Sequence, residues 1–285
     1  GHLVELTNTI YTRSGTIGSY LYGLTSTDSF DKAAEQLQSQ FHIGMLPLRN
    51  VSVRIAAWLG KIADQLPAAL ALPGSAREHA FSLLEEAKQS QFLMSEPEEE
   101  LANELSLSGG SAWGDLQGTL TSQKQVEFEI DGKSESLPLP ALINLRSHPS
   151  ADVRERAYTL EQATFEEMKE ALAACLNGVK GTVNTLDRKR GREDSLHSSL
   201  DSARIDRQTL DAMISAIEDS LPMFRSYFQA KAKLLGFEKL PWWSLFAPVG
   251  SVDKSYTFEE AKEIILTNFA RFSPELSDFA RHAFE

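Results

Sequence analysis

Between Val153 and Leu186 the apolar residues Val153, Ala157, Leu160, Phe165, Met168, Leu172, Cys175, Leu176, Val179, Val183 and Leu186 recur mostly at steps of three or four. That period is helical, and its persistence constrains the chain more than any other feature. A helix opening at Ser147 or Ser150 and closing near Arg190 spans roughly 55 to 60 Å at 1.5 Å per residue. Such a rod cannot bury its own apolar stripe, so much of the other sequence has to supply partner helices. Gly191 provides the residue after the last turn, and Arg188, Lys189 and Arg190 place cations at the negative helix end.

Helical stripes fill most of the flanking sequence. Phe30, Ala33, Ala34, Leu37 and Phe41 form one, with Asp28 or Ser29 as its cap, and Val53, Ile55, Ala56, Leu59 and Ile62 form another after Pro47. Ala80, Leu83, Leu84 and Ala87 mark a third, and Ser95-Glu96-Pro97 opens an acidic fourth bearing Leu101 and Leu105. Residues 106–123 are rich in Gly, Ser and Thr around Trp113, Leu116 and Leu120, and are expected to be a boundary with buried anchors. Val126, Phe128 and Ile130 alternate with Glu127 and Glu129 before Asp131-Gly132, which predicts a tight hairpin returning near Leu137. Asp206 opens a helix through Leu210, Met213, Ile217, Leu221 and Phe224 that Pro222 is expected to kink or split. Thr257 with Glu260, and Ser273 with Pro274, signal two final helices.

The expected fold is therefore mainly α, a multi-helix array with one small β-hairpin. Its expected divisions are a helical region at 1–105, a module holding the hairpin and the long helix at 106–190, and a third region at 191–285. The chain opens on Gly1-His2 with no capping residue before Leu3, and the stripe Leu276, Phe279, Ala280, Ala283 and Phe284 meets no stop signal before Glu285. Both ends are expected to be cuts in a longer protein, with Phe279, Ala283 and Phe284 exposed or buried in a neighbouring copy.

Composition acts mainly by exclusion. Hydrophobic residues make up 42% and charged residues 24% of the 285, which suits a folded globular protein. A net charge of −12 repels phosphate backbones and anionic headgroups, so neither nucleic acid nor membrane is an expected partner. The one cysteine, Cys175, cannot form an intrachain disulfide and fits a cytoplasmic protein. None of the histidines His2, His42, His79, His148, His197 and His282 is followed by Glu, so the zinc motif His-Glu-x-x-His is absent. The pairs His197 with Asp201 and His282 with Glu285 have helical spacing, as chance supplies in an acidic chain. In GGSAWG, Trp113 stands where the second glycine of a nucleophile elbow around Ser111 would have to be. The basic run at 188–192 reads either as a phosphate site or as a solvated helix terminus. Trp242 and Trp243 fall outside helical periodicity, which suits cleft or interface lining as well as core anchoring.

Five strings, in this order, carry a resemblance: SEPEEELANELSLSGGSAWGDLQGTLT (95–121), SHPSADVRERAY (147–158), LNGVKGTVNTLDRKRGREDSLHSSLDSARIDRQTLDAM (176–213), FRSYFQAKAKLLGFEKLPWWSLFAPVG (224–250) and YTFEEAKEIILTNFARFSPELSDFARHAFE (256–285). Together they resemble the front two-thirds of oligoendopeptidase F, a branch of the thimet-type zinc metallopeptidases, over about residues 20–285. The resemblance implies a helical shell around a deep channel, where unstructured peptides are cleaved by a zinc-bound water activated by a glutamate. It also implies that the zinc ligands lie beyond the position matching Glu285, so the fold is cut before the zinc-binding helices. No catalytic or metal residue maps onto this sequence, and the chain alone is expected to hold no zinc and to be inactive.

Within the resemblance, 1–105 matches the variable helical N-terminal region, 106–190 the N-terminal module, and 191–285 the start of the metallopeptidase domain. The implied partners are short peptides and the C-terminal zinc-binding half of the same protein. The family tends to read W-x-D-L where this chain reads Trp242-Trp243-Ser244-Leu245, which puts serine in place of a common aspartate. Trp242, Trp243 and Ser244 are the candidate substrate-channel or interface lining. The alternative is an autonomous helical scaffold or protein-binding module without catalysis.

Overall fold

The sustained three-four spacing folds as one uninterrupted helix, Ala151–Lys189, in the computed structural model, which describes residues 1–250 and 254–284. Its start is fixed by Ser150, whose Oγ accepts the Val153 N–H at 3.5 Å. Within the compact unit Gly1–Ala247 it is preceded by α1 (His2–Thr27), α2 (Lys32–Gly44), α3 (Leu46–Lys61), α4 (Leu66–Leu70), α5 (Ser75–Glu78), α6 (Ala80–Gln89), α7 (Glu96–Ser108), α8 (Gly110–Gln123), β1 (Gln125–Ile130), β2 (Lys133–Pro138) and α9 (Leu139–Asn144). The long helix is thus α10. It is followed by α11 (His197–Ala203), α12 (Arg207–Leu234) and a 3₁₀ turn at Trp242–Ser244. The second compact unit, Pro248–Glu285, holds α13 (Phe258–Phe272) and α14 (Pro274–His282). No helix among the described residues is long and apolar enough to cross a membrane.

The β1–β2 pair is antiparallel, in a register running from Gln125 opposite Pro138 to Ile130 opposite Lys133. Asp131 and Gly132 form its turn at φ 53° and 75°, a left-handed pair that matches the strand twist and that glycine adopts without strain. Alternation sends Val126 and Phe128 inward, where they join Leu139 and Leu142 of α9 and Val153 and Ala157 of α10. This is the core that seats the start of the long helix. A second core gathers Leu59, Leu66, Leu70 and Ala87.

Residues 106–123 fold as the end of α7 and the whole of α8, and the expected buried anchors Trp113 and Leu116 are in part exposed. The packing of α8 on α10 is close, since a Cβ added at Gly178 of α10 would lie 2.3 Å from Trp113 Cδ1, while Gly114 and Gly118 of α8 face open space. The indole occupies the space a side chain would take. Gly110 similarly faces Thr182 of α10. Two smaller expectations also give way. The α2 cap is Asp31, whose Oδ1 accepts from Ala33 and Ala34 at 3.0 Å, while Asp28 closes the preceding turn. Of the two outcomes expected at Pro222, the split does not occur, since α12 runs through it as one helix past the one N–H that proline lacks.

In the second unit the capping signals operate as read. Thr257 and Glu260 exchange bonds at 2.8 and 3.2 Å, and Ser273 Oγ accepts the Leu276 N–H at 3.2 Å. Ser277, buried, donates to the Leu266 carbonyl at 3.0 Å and ties α14 to α13. Phe279 is 78% exposed and Ala283 is exposed, whereas Phe284 packs edge-on to Phe258 at 6.1 Å.

Candidate functional site

Gly236, at φ 80°, ends the run of α12, and Pro241 leads the chain into the turn at Trp242–Ser244. The turn closes on itself through Ser244 N–H to the Pro241 carbonyl at 2.9 Å and Leu245 N–H to the Trp242 carbonyl at 3.1 Å. Its three side chains go different ways. Trp242 is 64% exposed, Trp243 is partly buried with its ring 5.6 Å from that of Tyr158, and Ser244 is fully buried. The candidate lining therefore splits into one displayed indole, one packed indole and one internal hydroxyl. Phe246, also exposed, adds a second aromatic to the displayed side.

Ser244 is internal because of Arg154, on the first turns of α10. The guanidinium donates from Nε and Nη2 to Ser244 Oγ at 3.4 and 3.2 Å, and from Nη1 to the His148 and Pro149 carbonyls at 2.6 and 2.8 Å. Lys231, near the end of α12, donates to the Leu245 carbonyl at 2.7 Å. Both cations are buried, and among the described residues neither makes an ion pair. Burial pulls the Arg154 pKa below its ordinary value, yet a guanidinium holds its proton under all ordinary conditions. The turn thus rests on two cations satisfied by neutral oxygens.

Sequence reading marked Trp242, Trp243 and Ser244 but missed Arg154 and Lys231. Arg154 carries no mark in the sequence; only the structure shows it buried, seven residues before Glu161 and ten before Thr164. All three are buried polar residues on one face of α10. Glu161 finds its own partner in Arg146, which grips both carboxylate oxygens.

At the other end of α10 two members of the basic run, Arg190 and Arg192, are engaged in structure, while Arg188 and Lys189 are exposed. Arg190 donates to both carboxylate oxygens of buried Glu99 at 3.0 and 2.6 Å, and the Met94 N–H adds a third bond at 3.1 Å. Burial pushes the Glu99 carboxyl up, but the Arg190 and Met94 bonds together with the Arg190 charge outweigh it and hold the pKa below the ordinary value. Arg192 bonds Gln89 Oε1 at 2.9 Å and Asp201, with its guanidinium 3.9 Å above the Phe92 ring. His197 does approach Asp201, at 3.6 Å, but that carboxylate already serves Arg192. The pair His282 and Glu285 includes a residue outside the described ones. Among the described residues no three His, Cys, Asp or Glu side chains gather as a metal site.

Ser111 sits on α8 and not on a strained turn, at the edge of a cleft of about 970 Å³ shared with Tyr22, Phe30, His42, Asp115 and Gly118. Among the described residues no histidine bonds its hydroxyl, and Cys175 is buried on the α10 stripe. Neither has the base a nucleophile needs.

No protein-family model matches the chain. Among curated proteins it is 22% identical over 211 residues to oligopeptidase PepF of Bacillus subtilis (strain 168), covering 73% of this chain and 31% of that protein. It is 25% identical over 142 residues to group B oligopeptidase PepB of Streptococcus agalactiae, covering 50% of this chain and 24% of that one. Among solved structures, oligoendopeptidase-F from Enterococcus faecium superposes over 98% of this chain and 59% of its own, with a TM-score of 0.78 at 16% identity. The chain spans a third or less of the length of these curated relatives.

Proposed function

We propose that this chain, which shares the helical fold of oligoendopeptidase F and is similar in sequence to named oligopeptidases, is the N-terminal, channel-wall portion of a zinc-dependent oligoendopeptidase acting on internal bonds of short peptides. The observation that carries the reading is the likeness to the Enterococcus faecium enzyme along 98% of the chain. In this reading 1–105 is the helical entry region, 106–190 the hairpin and long-helix module, and 191–285 the start of the peptidase domain. The protein works in the cytoplasm on peptides, with neither nucleic acid nor membrane as partner.

The donors in this chain do not fit zinc. Among the described residues the histidines do not gather with other ligands, and Asp201, the carboxylate paired with His197, is bound to Arg192. The proposal therefore assigns the metal and the hydrolytic step to a C-terminal half of the same protein, and to this chain the work of holding substrate. Exposed Trp242 and Phe246 offer apolar faces to peptide side chains, while packed Trp243 and internal Ser244 keep the turn in place.

A quenched peptide substrate tests this, comparing the present chain with one extended through a His-Glu-x-x-His segment, each with and without a chelator. The extended protein is expected to show chelator-sensitive turnover and the present chain none. Turnover by the present chain would overturn the division of labour, and an inactive extended protein would favour a scaffold.

A further inference from the structure

Two consecutive residues of the tryptophan turn are gripped by two residues one helical turn apart on α10. Ser244 bonds the Arg154 guanidinium, and Trp243 packs on Tyr158. Residues four apart share a helix face, so the two contacts set both the position and the rotation of the turn. Lys231 adds a tether from α12, but its acceptor is the Leu245 backbone carbonyl, which any residue would supply. Ser244 is the side chain through which the turn feels Arg154.

The chemistry of that bond is unusual. The Nε and Nη2 edge of a guanidinium presents two parallel N–H groups suited to the two oxygens of a carboxylate. Here one hydroxyl oxygen takes both, at 3.4 and 3.2 Å, while the shorter bonds go to the loop carbonyls before α10. Arg154 is thus anchored firmly to its own side and holds the turn more lightly. We propose that Arg154 is a positioning residue that, through Ser244, sets the orientation of the Trp242–Trp243 turn toward a bound peptide. This rests on the reading above that the turn contacts peptide.

The test uses the full chain with Trp58 and Trp113 replaced by Phe, so that emission and near-ultraviolet circular dichroism report the turn alone. Arg154→Met, Ser244→Ala and the double variant are compared with Arg154→Lys, by acrylamide quenching, by dichroism of the Trp243–Tyr158 pair, and by titration with a short unstructured fluorescent peptide. Each single change is expected to alter quenching and dichroism in the same sense, and the double variant no more than either. Peptide binding should weaken about tenfold while far-ultraviolet dichroism is unchanged. Arg154→Lys, which keeps the charge without the fork, should recover part of the signal. Unaltered tryptophan signals in Ser244→Ala, or additive effects in the double variant, overturn the positioning role. Altered signals with unchanged peptide affinity overturn its service to peptide. No peptide binding by the unsubstituted chain refutes the reading beneath it and removes the proposal.

Discussion

Arg190 and Arg154 stand near opposite ends of one 39-residue helix, and each is drawn out of water, but only Arg190 meets a carboxylate. At the Arg190 end the charge of Glu99 is matched by a bidentate partner, so each member protects the other from the cost of burial. At the Arg154 end a serine hydroxyl and two loop carbonyls satisfy the hydrogen bonds without neutralising the charge. The first arrangement suits a permanent joint between α7 and α10. The second holds a surface turn that displays an indole, where a looser grip leaves room to adjust.

Breaking the paired end should have the largest effect. Arg190→Met strands the Glu99 carboxylate, which is 1% exposed, and is expected to cost about 3 kcal/mol in chemical denaturation. The same end carries part of the acid sensitivity. Because the Glu99 pKa is lowered on folding, its stabilisation is present above the unfolded value near 4.5 and is lost as pH falls through the folded value. Melting of the unsubstituted chain should therefore fall below about pH 4.5, and Glu99→Gln should remove part of that slope, read as the difference between the two curves. Equal slopes would show that Glu99 is not the group responsible.

A neutral break midway along α10 separates packing from charge. Gly178→Ala brings a Cβ to 2.3 Å from Trp113, and overpacking of about 1 to 3 kcal/mol should exceed the roughly 1 kcal/mol that alanine adds to a helix. A net loss of about 1 kcal/mol with no change in pH slope is expected in the same denaturation series. A gain would mean that the indole moves aside freely.

Sharpening the contrast requires giving Arg154 what Arg190 has. Ser244→Asp should raise stability at pH 7 by up to about 1 kcal/mol, since desolvating the new carboxylate offsets most of the attraction. It should also make the Arg154 end acid-sensitive. A destabilised variant at neutral pH would show that the space around Ser244 cannot accept a carboxylate. Smallest of all, Asp152→Asn removes the exposed i,i+4 pair with Arg156, at 2.8 Å, and should change stability by only about 0.3 to 0.5 kcal/mol.

The same contrast separates what sequence reveals from what it hides. The long helix, the Asp131-Gly132 hairpin and the caps at Asp206, Thr257 and Ser273 are local matters, decided by spacing and by backbone bonds within a few residues. Residues 106–123 mislead because their Gly, Ser and Thr content reads as a loop, whereas the partners that α8 packs against, Gly178 and Thr182 of α10, are distant in sequence. At the candidate site the aromatic pair and the serine stand out by composition and position. Arg154 does not, because its partner lies 90 residues away and a buried cation leaves no mark on apolar periodicity.

At about 58 Å, α10 is also a lever arm. A tilt of about 2° pivoting at the Glu99–Arg190 joint moves the far end by about 2 Å, several times the roughly 0.5 Å over which a hydrogen bond holds. Substitutions around Glu99, remote from any peptide, would then be felt as altered aim at the tryptophan turn. Under the proposed function, changes that alter peptide binding need not touch the turn itself.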